Sequence, residues 1–204
     1  MKIEPAEMLD LEPAALCLAK AFAADPLLPF FFPAAENPNS VVAELFGLLL
    51  KARIKLAMPI RLSRHMGDIS GVVMGYDTRR LDWPADVELA FEDFLRRQKG
   101  ASDRFHNYET ASKRFKPSQP HYYLGVLGVD PARHGKGEGL ALVDAFCSLS
   151  ESDSTSTGTY LETANPLNLG FYGRCGFTLT GEHELDAVTR LYCLFRPSGN
   201  HASV

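Results

Sequence analysis

The chain has 204 residues, 46% of them hydrophobic and 23% charged, a balance that suits one globular domain and excludes a disordered or fibrous chain. Its 21 basic and 25 acidic residues give a formal net charge of −4, so no general attraction to nucleic acid or to an anionic membrane is expected. The four cysteines, Cys17, Cys147, Cys175 and Cys193, are scattered without a CxxC or a histidine at ligand spacing, which signals neither a disulfide framework nor a metal site.

Met1 to Pro5 lacks the basic-then-apolar order of a signal peptide, and the longest apolar run, Leu45 to Leu50, is too short to span a bilayer. A cytoplasmic protein is expected. Leu11, Ala15, Leu18 and Phe22 recur at helical spacing, and the pattern stops at Asp25-Pro26. Phe30, Phe31 and Phe32 then stand between Pro29 and Pro33. Adjacent rings cannot all enter one core from a single helix or strand face, so some are expected to line a cavity or pack under a loop. A second helix should begin near Asn39-Ser40 and carry Val41, Leu45, Leu48, Ala52 and Leu56 on one side.

After Met58-Pro59 the period changes, and 60–66 and 69–76 read as two strands joined by a tight turn at Gly67-Asp68. A helix over 85–99, with acids early and bases late, matches the helix dipole, and another is expected around 101–115. The remainder reads as strand 122–129, helix 137–150, strand 159–164, a short helix over 166–174, and strands near 177–185 and 189–196. Strand, helix, strand at these lengths is a parallel crossover unit, so an α/β fold with a mixed sheet is expected. Pro197 to Val204 reads as a frayed, flexible tail.

Between strand and helix lies Val129-Asp130-Pro131-Ala132-Arg133-His134-Gly135-Lys136-Gly137-Glu138-Gly139-Leu140. Glycines at alternate positions clear the backbone of side chains, and the first-turn N–H groups of the helix have no partner inside it. Free donors and a positive helix end make an anion site. The spacing fits neither a GxxxxGK[ST] loop nor a GxGxxG turn.

This turn, together with Asn165-Pro166-Leu167-Asn168 running through Phe171-Tyr172 to Gly176-Phe177, resembles the GNAT superfamily of acetyl-CoA dependent N-acetyltransferases. Ala21 to Pro26 and His121 to Gly125 are similar to the subgroup that includes puromycin N-acetyltransferase. The resemblance implies a GNAT-type fold, a central mixed sheet with a splayed parallel strand pair flanked by helices. It divides 1–196 into an N-terminal half over 1–120, carrying an acceptor-site insertion, and an acetyl-CoA-binding core over 121–196. It implies that the cofactor pantetheine pairs with the backbone of Leu127, Gly128 and Val129, and that the pyrophosphate sits on His134 to Gly139, followed by Leu140. Arg133 or Lys136 would meet the remaining phosphate charge. His134 stands where the family usually has Gln or Arg, which alters the side-chain contact but leaves the amides of Gly135, Gly137 and Gly139 in place.

The attacking amine must be neutral, and an alkylammonium loses its proton in water only near pH 10.4. Glu162, a lone acid inside a strand, is the candidate base, with Glu109 and His121 as weaker rivals, and a structural role, paired to a nearby Arg or hydroxyl, remains its alternative reading. The resemblance makes Tyr172 the acid that protonates the departing thiolate. Asn165 either bonds pantetheine or caps the short helix, and Asn168 and Phe171 are expected to face the cofactor. Phe30 to Phe32, Trp83 and the 101–116 segment, with Tyr122 and Glu162, are expected to shape the acceptor site. The resulting expectation is direct acetyl transfer from acetyl-CoA to the primary amine of a small molecule in a ternary complex, by a monomer or homodimer. An acyl-CoA-binding sensor without turnover is the alternative.

Overall fold

In the computed structural model, which describes residues 1–35, 37–79 and 81–199, the strands form a single sheet whose order decides where a ligand can enter. The strands are β1 (Lys2–Pro5), β2 (Ile60–His65), β3 (Asp68–Tyr76), β4 (Tyr122–Val129), β5 (Gly158–Thr163), β6 (Thr178–Glu184) and β7 (Arg190–Pro197). Among the described residues they lie in the order β1-β2-β3-β4-β5-β7-β6. Only β4 and β5 run parallel, and their pairing stops after Tyr122↔Thr159 and Tyr123↔Tyr160. β4 stays with β3 as far as Val129↔Gly71, while β5 stays with β7 as far as Thr163↔Tyr192. The sheet therefore splits down its middle.

Helices α1 (Leu11–Ala21) and α3 (Pro38–Lys55) cover one face, where Leu18, Phe46 and Leu50 pack on Leu62, Val72, Met74 and Val126. On the opposite face Leu142, Val143 and Phe146 of α6 (Glu138–Ser152) pack on Val73, Leu124 and Leu161. Alternation along β3 follows the pleat, Val72 and Met74 to one face and Val73 to the other. In β4 the register shifts opposite Met74 and Gly75, leaving Gly125 as the extra residue. Leu124 and Val126 consequently face opposite layers, although they are two residues apart.

The connection between β3 and β4 carries α4 (Ala85–Arg97) and α5 (Ala101–Phe115), which close a third cluster around the start of β5 and β7. Contrary to the sequence expectation, Phe30, Phe31 and Phe32 are all buried in that one cluster. The short α2 (Leu27–Phe31) ends before Phe32, whose φ of −128° and ψ of 60° turn its ring out of the helical direction. Phe31 then stacks on Phe105 at 4.1 Å between centroids, while Phe32 meets Phe94 edge-on at 5.7 Å.

The other elements lie close to where periodicity puts them, with α3 beginning slightly early because Asn37 Oδ1 accepts from Ser40 N and Pro38 starts the helix. Strand β1 has no counterpart in the sequence reading. Its single apolar residue, Ile3, gives no pattern, and it is held by pairing with β2 and by the Glu4–Arg64 ion pair at 2.5 Å. At the other end, Pro197 closes β7 and Ser198 is buried, donating through Oγ to Ser156 O at 2.9 Å, so the fold continues into the segment read as tail. Residues 200–204 lie outside the described residues. No described helix is long and apolar enough to cross a membrane.

A Cβ added to Gly75 would overlap the carbonyl oxygen of Tyr123 and approach Phe146 Cζ within 2.6 Å. Gly75→Ala should therefore break the β3–β4 ladder where the sheet begins to split, lowering unfolding free energy in urea titrations by about 3 kcal/mol or more.

Candidate active site

The split opens a cleft of about 680 Å³, one lip formed by Leu124 to Val129 of β4 and the other by Glu162 to Asn165. Beyond Tyr123 no strand among the described residues bonds β4 on the β5 side, so backbone donors and acceptors of β4 face the cleft as a free strand edge.

At the end of β4 the chain turns into α6. Asp130 Oδ1 accepts from Ala132 N at 2.9 Å and holds a short 3₁₀ turn, Pro131–Arg133. Gly135 and Gly137 take φ of +74° and +78°, and nothing lies within 4 Å of where their Cβ atoms would sit. Gly137 precedes α6, and the first carbonyl bond of that helix is Ala141 N to Gly137 O at 3.1 Å. The amides of Glu138, Gly139 and Leu140 thus have no partner within α6 and sit at its positive end.

Glu138 would spoil this anion site if its carboxylate faced the cleft. It is 2% exposed and turns inward instead, taking the Ser63 hydroxyl at 2.5 Å and the Ser70 hydroxyl on Oε1, and Arg133 Nε at 3.2 Å on Oε2. Burial works to raise this carboxyl, but the two hydroxyls and Arg133 outweigh it and hold it below its ordinary value. His134 also folds back, its Nε2–H donating to Val129 O at 3.1 Å. Lys136 is exposed and is not part of the cleft wall.

Every other residue expected to hold the cofactor lies on that wall: Leu127, Gly128, Val129, Arg133, His134, Gly135, Gly137, Glu138, Gly139, Leu140, Asn165, Asn168, Phe171 and Tyr172. Asn165 Oδ1 accepts from Leu167 N at 3.1 Å, a cap for the turn into α7 (Asn168–Arg174), and Asn168 Nδ2 donates to Thr163 Oγ1 at 3.2 Å. Tyr172 is 6% exposed, wedged edge-on between Phe171 and Phe177. Burial, reinforced by Cys175 and Asp25, pushes its phenol well above the ordinary value, so the group holds its proton through neutral pH. Burial likewise pushes the Cys175 thiol up to about 11, which argues against a cysteine nucleophile.

Glu162 stands across the cleft. Its carboxylate accepts from the Ser112 hydroxyl and from Tyr108 Oη at 3.2 Å, both on α5. Tyr108 and Tyr123 are pushed well above the phenol range, first by burial and then by the charge of Glu162. The rival bases are elsewhere: Glu109 is exposed, and His121 is buried with Nδ1 against Gln119 O at 2.7 Å.

The residues expected to shape the acceptor site are, apart from Glu162 and Tyr108 of the 101–116 segment, not on the wall. Phe30 and Phe31 belong to the aromatic cluster and reach the cleft at one remove, through the Phe31–Tyr108 edge contact at 5.3 Å. Trp83 donates through Nε1 to Tyr76 Oη at 2.6 Å, and Tyr122 packs edge-on against Phe146 at 6.1 Å. In their place the wall carries Phe22, Asp25 and Leu27 beside Tyr108. Asp25 Oδ1 accepts from Leu27 N at 2.9 Å, and burial raises its carboxyl. Its position at the end of Ala21 to Pro26 was a usable signal, whereas nothing in the period of α5 marks Tyr108 or Ser112.

The chain superposes over nearly its full length on solved acetyltransferases. An acetyltransferase from Corynebacterium glutamicum, described as histone acetyltransferase and related, is 23% identical with a TM-score of 0.70, covering 97% of this chain and 96% of its own. Arylalkylamine N-acetyltransferase 2 from Aedes aegypti gives 15% identity and a TM-score of 0.70 over 96% and 98%. A Salmonella typhimurium protein solved with its cofactor acetyl-CoA gives 17% and 0.60 over 100% and 97%. The fold is that of the GNAT acetyltransferases. No protein-family model matches the chain. The GNAT fold accounts for the mixed sheet and its single parallel pair, as the resemblance implied.

Because the Glu138 carboxyl titrates lower in the folded than in the unfolded chain, its contribution is complete above the ordinary carboxylate range and fades as pH falls through the folded value. Glu138→Gln should cost about 2 kcal/mol at neutral pH. In thermal melts the gap from wild type should close as the pH is taken below the ordinary glutamate value of about 4.3.

Proposed function

We propose that the protein is an acetyl-CoA dependent N-acetyltransferase acting on the primary amine of a small molecule by direct attack. One observation carries the reading: a free strand edge that ends in an open amide turn shares one cleft with the carboxylate of Glu162 and the protonated phenol of Tyr172. The space around Gly135 and Gly137 fits a diphosphate, because no side chain or backbone fills the positions their Cβ atoms would take. The backbone of Leu127, Gly128 and Val129 would align the pantetheine as an added strand. Gly135 to Leu140 would hold the pyrophosphate, with Arg133 beside it, and Asn165, Asn168 and Phe171 would border the pantetheine arm.

Bound acetyl-CoA supplies an acetyl group already activated as a thioester. A backbone N–H of the β4 edge would polarise the thioester carbonyl, a donor worth about 3–4 kcal/mol in the transition state. Glu162 takes the proton from the acceptor nitrogen and holds it on a carboxylate oxygen. Tyr172 gives its phenolic proton to the departing sulfur. The acceptor end is walled by Phe22, Leu27, Leu124 and Tyr108 and roofed by α5, which supports a small, partly apolar amine. The name of the Aedes aegypti neighbour makes arylalkylamines the first acceptors to try.

Wild-type protein incubated with acetyl-CoA and an amine panel should release free thiol only when an acceptor is present. Coenzyme A binding in calorimetry without thiol release for any amine would instead establish an acyl-CoA sensor. With the best acceptor, Tyr172→Phe should lower kcat by roughly 10- to 1000-fold while the acetyl-CoA KM changes little. An unchanged kcat removes Tyr172 from the mechanism.

A further inference from the structure

We infer that Ser112 and Tyr108 are positioning residues for Glu162, which makes the inserted α4–α5 hairpin part of the reaction machinery. The inference rests on the proposed role of Glu162 and adds the groups that aim it. A strand glutamate is free to turn about its side-chain torsions, and fixing it costs rotamer entropy. Here Ser112 Oγ donates to Oε1 and Tyr108 Oη to Oε2 at 3.2 Å, and the Tyr123 hydroxyl, from β4, is a further hydrogen-bonding neighbour of the carboxylate. A carboxylate has about four lone-pair sites, so it keeps capacity for an incoming ammonium.

The two donors are four residues apart on α5 and therefore share one helix face. That face cannot slide. Asn107 Nδ2 donates to Leu185 O at 3.1 Å, Arg104 Nη1 donates to Phe30 O at 2.9 Å, and Tyr160 Oη donates to Ser112 O at 3.4 Å. At the end of the helix, the Phe115 ring occupies the space a side chain on Gly181 would need. Ser112 is 5% exposed, and its hydroxyl bond to Glu162 is the one side-chain bond it makes among the described residues. Tyr108 lines the cleft itself, beside the place where the acceptor nitrogen must arrive.

Two acceptors separate positioning from packing. An alkylamine such as 2-phenylethylamine arrives protonated at neutral pH and needs the carboxylate, whereas an arylamine such as 4-ethylaniline arrives neutral. For Ser112→Ala and for the isosteric Tyr108→Phe, kcat/KM for the alkylamine should fall roughly 10- to 100-fold, the scale of one hydrogen bond to a charge. The arylamine rate should be nearly unchanged in Ser112→Ala, and Tyr108→Phe, which also alters the cleft wall, should lose clearly more on the alkylamine than on the arylamine. Equal losses on both amines would show a general packing defect and overturn the inference. So would unchanged alkylamine rates in both variants while Glu162→Gln loses its alkylamine rate, and that outcome leaves the proposed function standing. If Glu162→Gln itself keeps full alkylamine turnover, the role proposed for Glu162 fails and the inference falls with it.

Discussion

The architecture depends on one missing set of hydrogen bonds. After Tyr123, β4 has a strand on one side only, and an unpaired row of amides and carbonyls inside a sheet is costly unless something else satisfies it. The split is held open from both sides, since β3 grips β4 to its end and β7 grips β5 to its end. The extra residue at Gly125 bends the strand where the gap begins and reverses which layer the following side chains enter. An extended ligand arm can supply the missing ladder, so the same defect that weakens the sheet defines a binding groove.

Charge is sorted along that groove. At the α6 end stand the positive helix terminus and Arg133, and Glu138, which occupies the first helical position, is drawn inward by Ser63, Ser70 and Arg133. Glu162 and Asp25 also line the groove, Glu162 bonded to the Ser112 and Tyr108 hydroxyls and Asp25 to Leu27 N. Tyr172 lies in an apolar wedge that holds its proton until a strongly basic atom arrives. An anion is favoured at one end and a cation at the other, which is the polarity the proposed reaction requires.

The half of the site that was legible in sequence is the half made by local backbone. Glycines at 135, 137 and 139, the strand before them and the helix after them are neighbours in the chain, so their spacing already states the geometry of the turn. The same holds for Asn165, Asn168, Phe171 and Tyr172, which one short helix carries to the wall. The rest of the cleft wall was less legible because its residues come from separate elements. Phe30, Phe31, Trp83 and Tyr122 were expected at the acceptor, yet Phe30 and Phe31 belong to the third cluster, Trp83 bonds Tyr76 Oη and Tyr122 packs on Phe146. His134 was a visible departure, but only the fold shows its ring turned onto Val129 O.

By itself, then, the sequence determined the element order from α3 onward, the parallel crossover and the glycine turn, since hydrophobic period and glycine spacing act through neighbours along the chain. Only the tertiary structure decided that β1 closes an edge, that Lys136 stands off the wall, and that Tyr108 and Ser112 of α5 bond Glu162 of β5. Those contacts join residues fifty or more positions apart, and their geometry is set by how α5 packs on the sheet, a packing that no local pattern encodes.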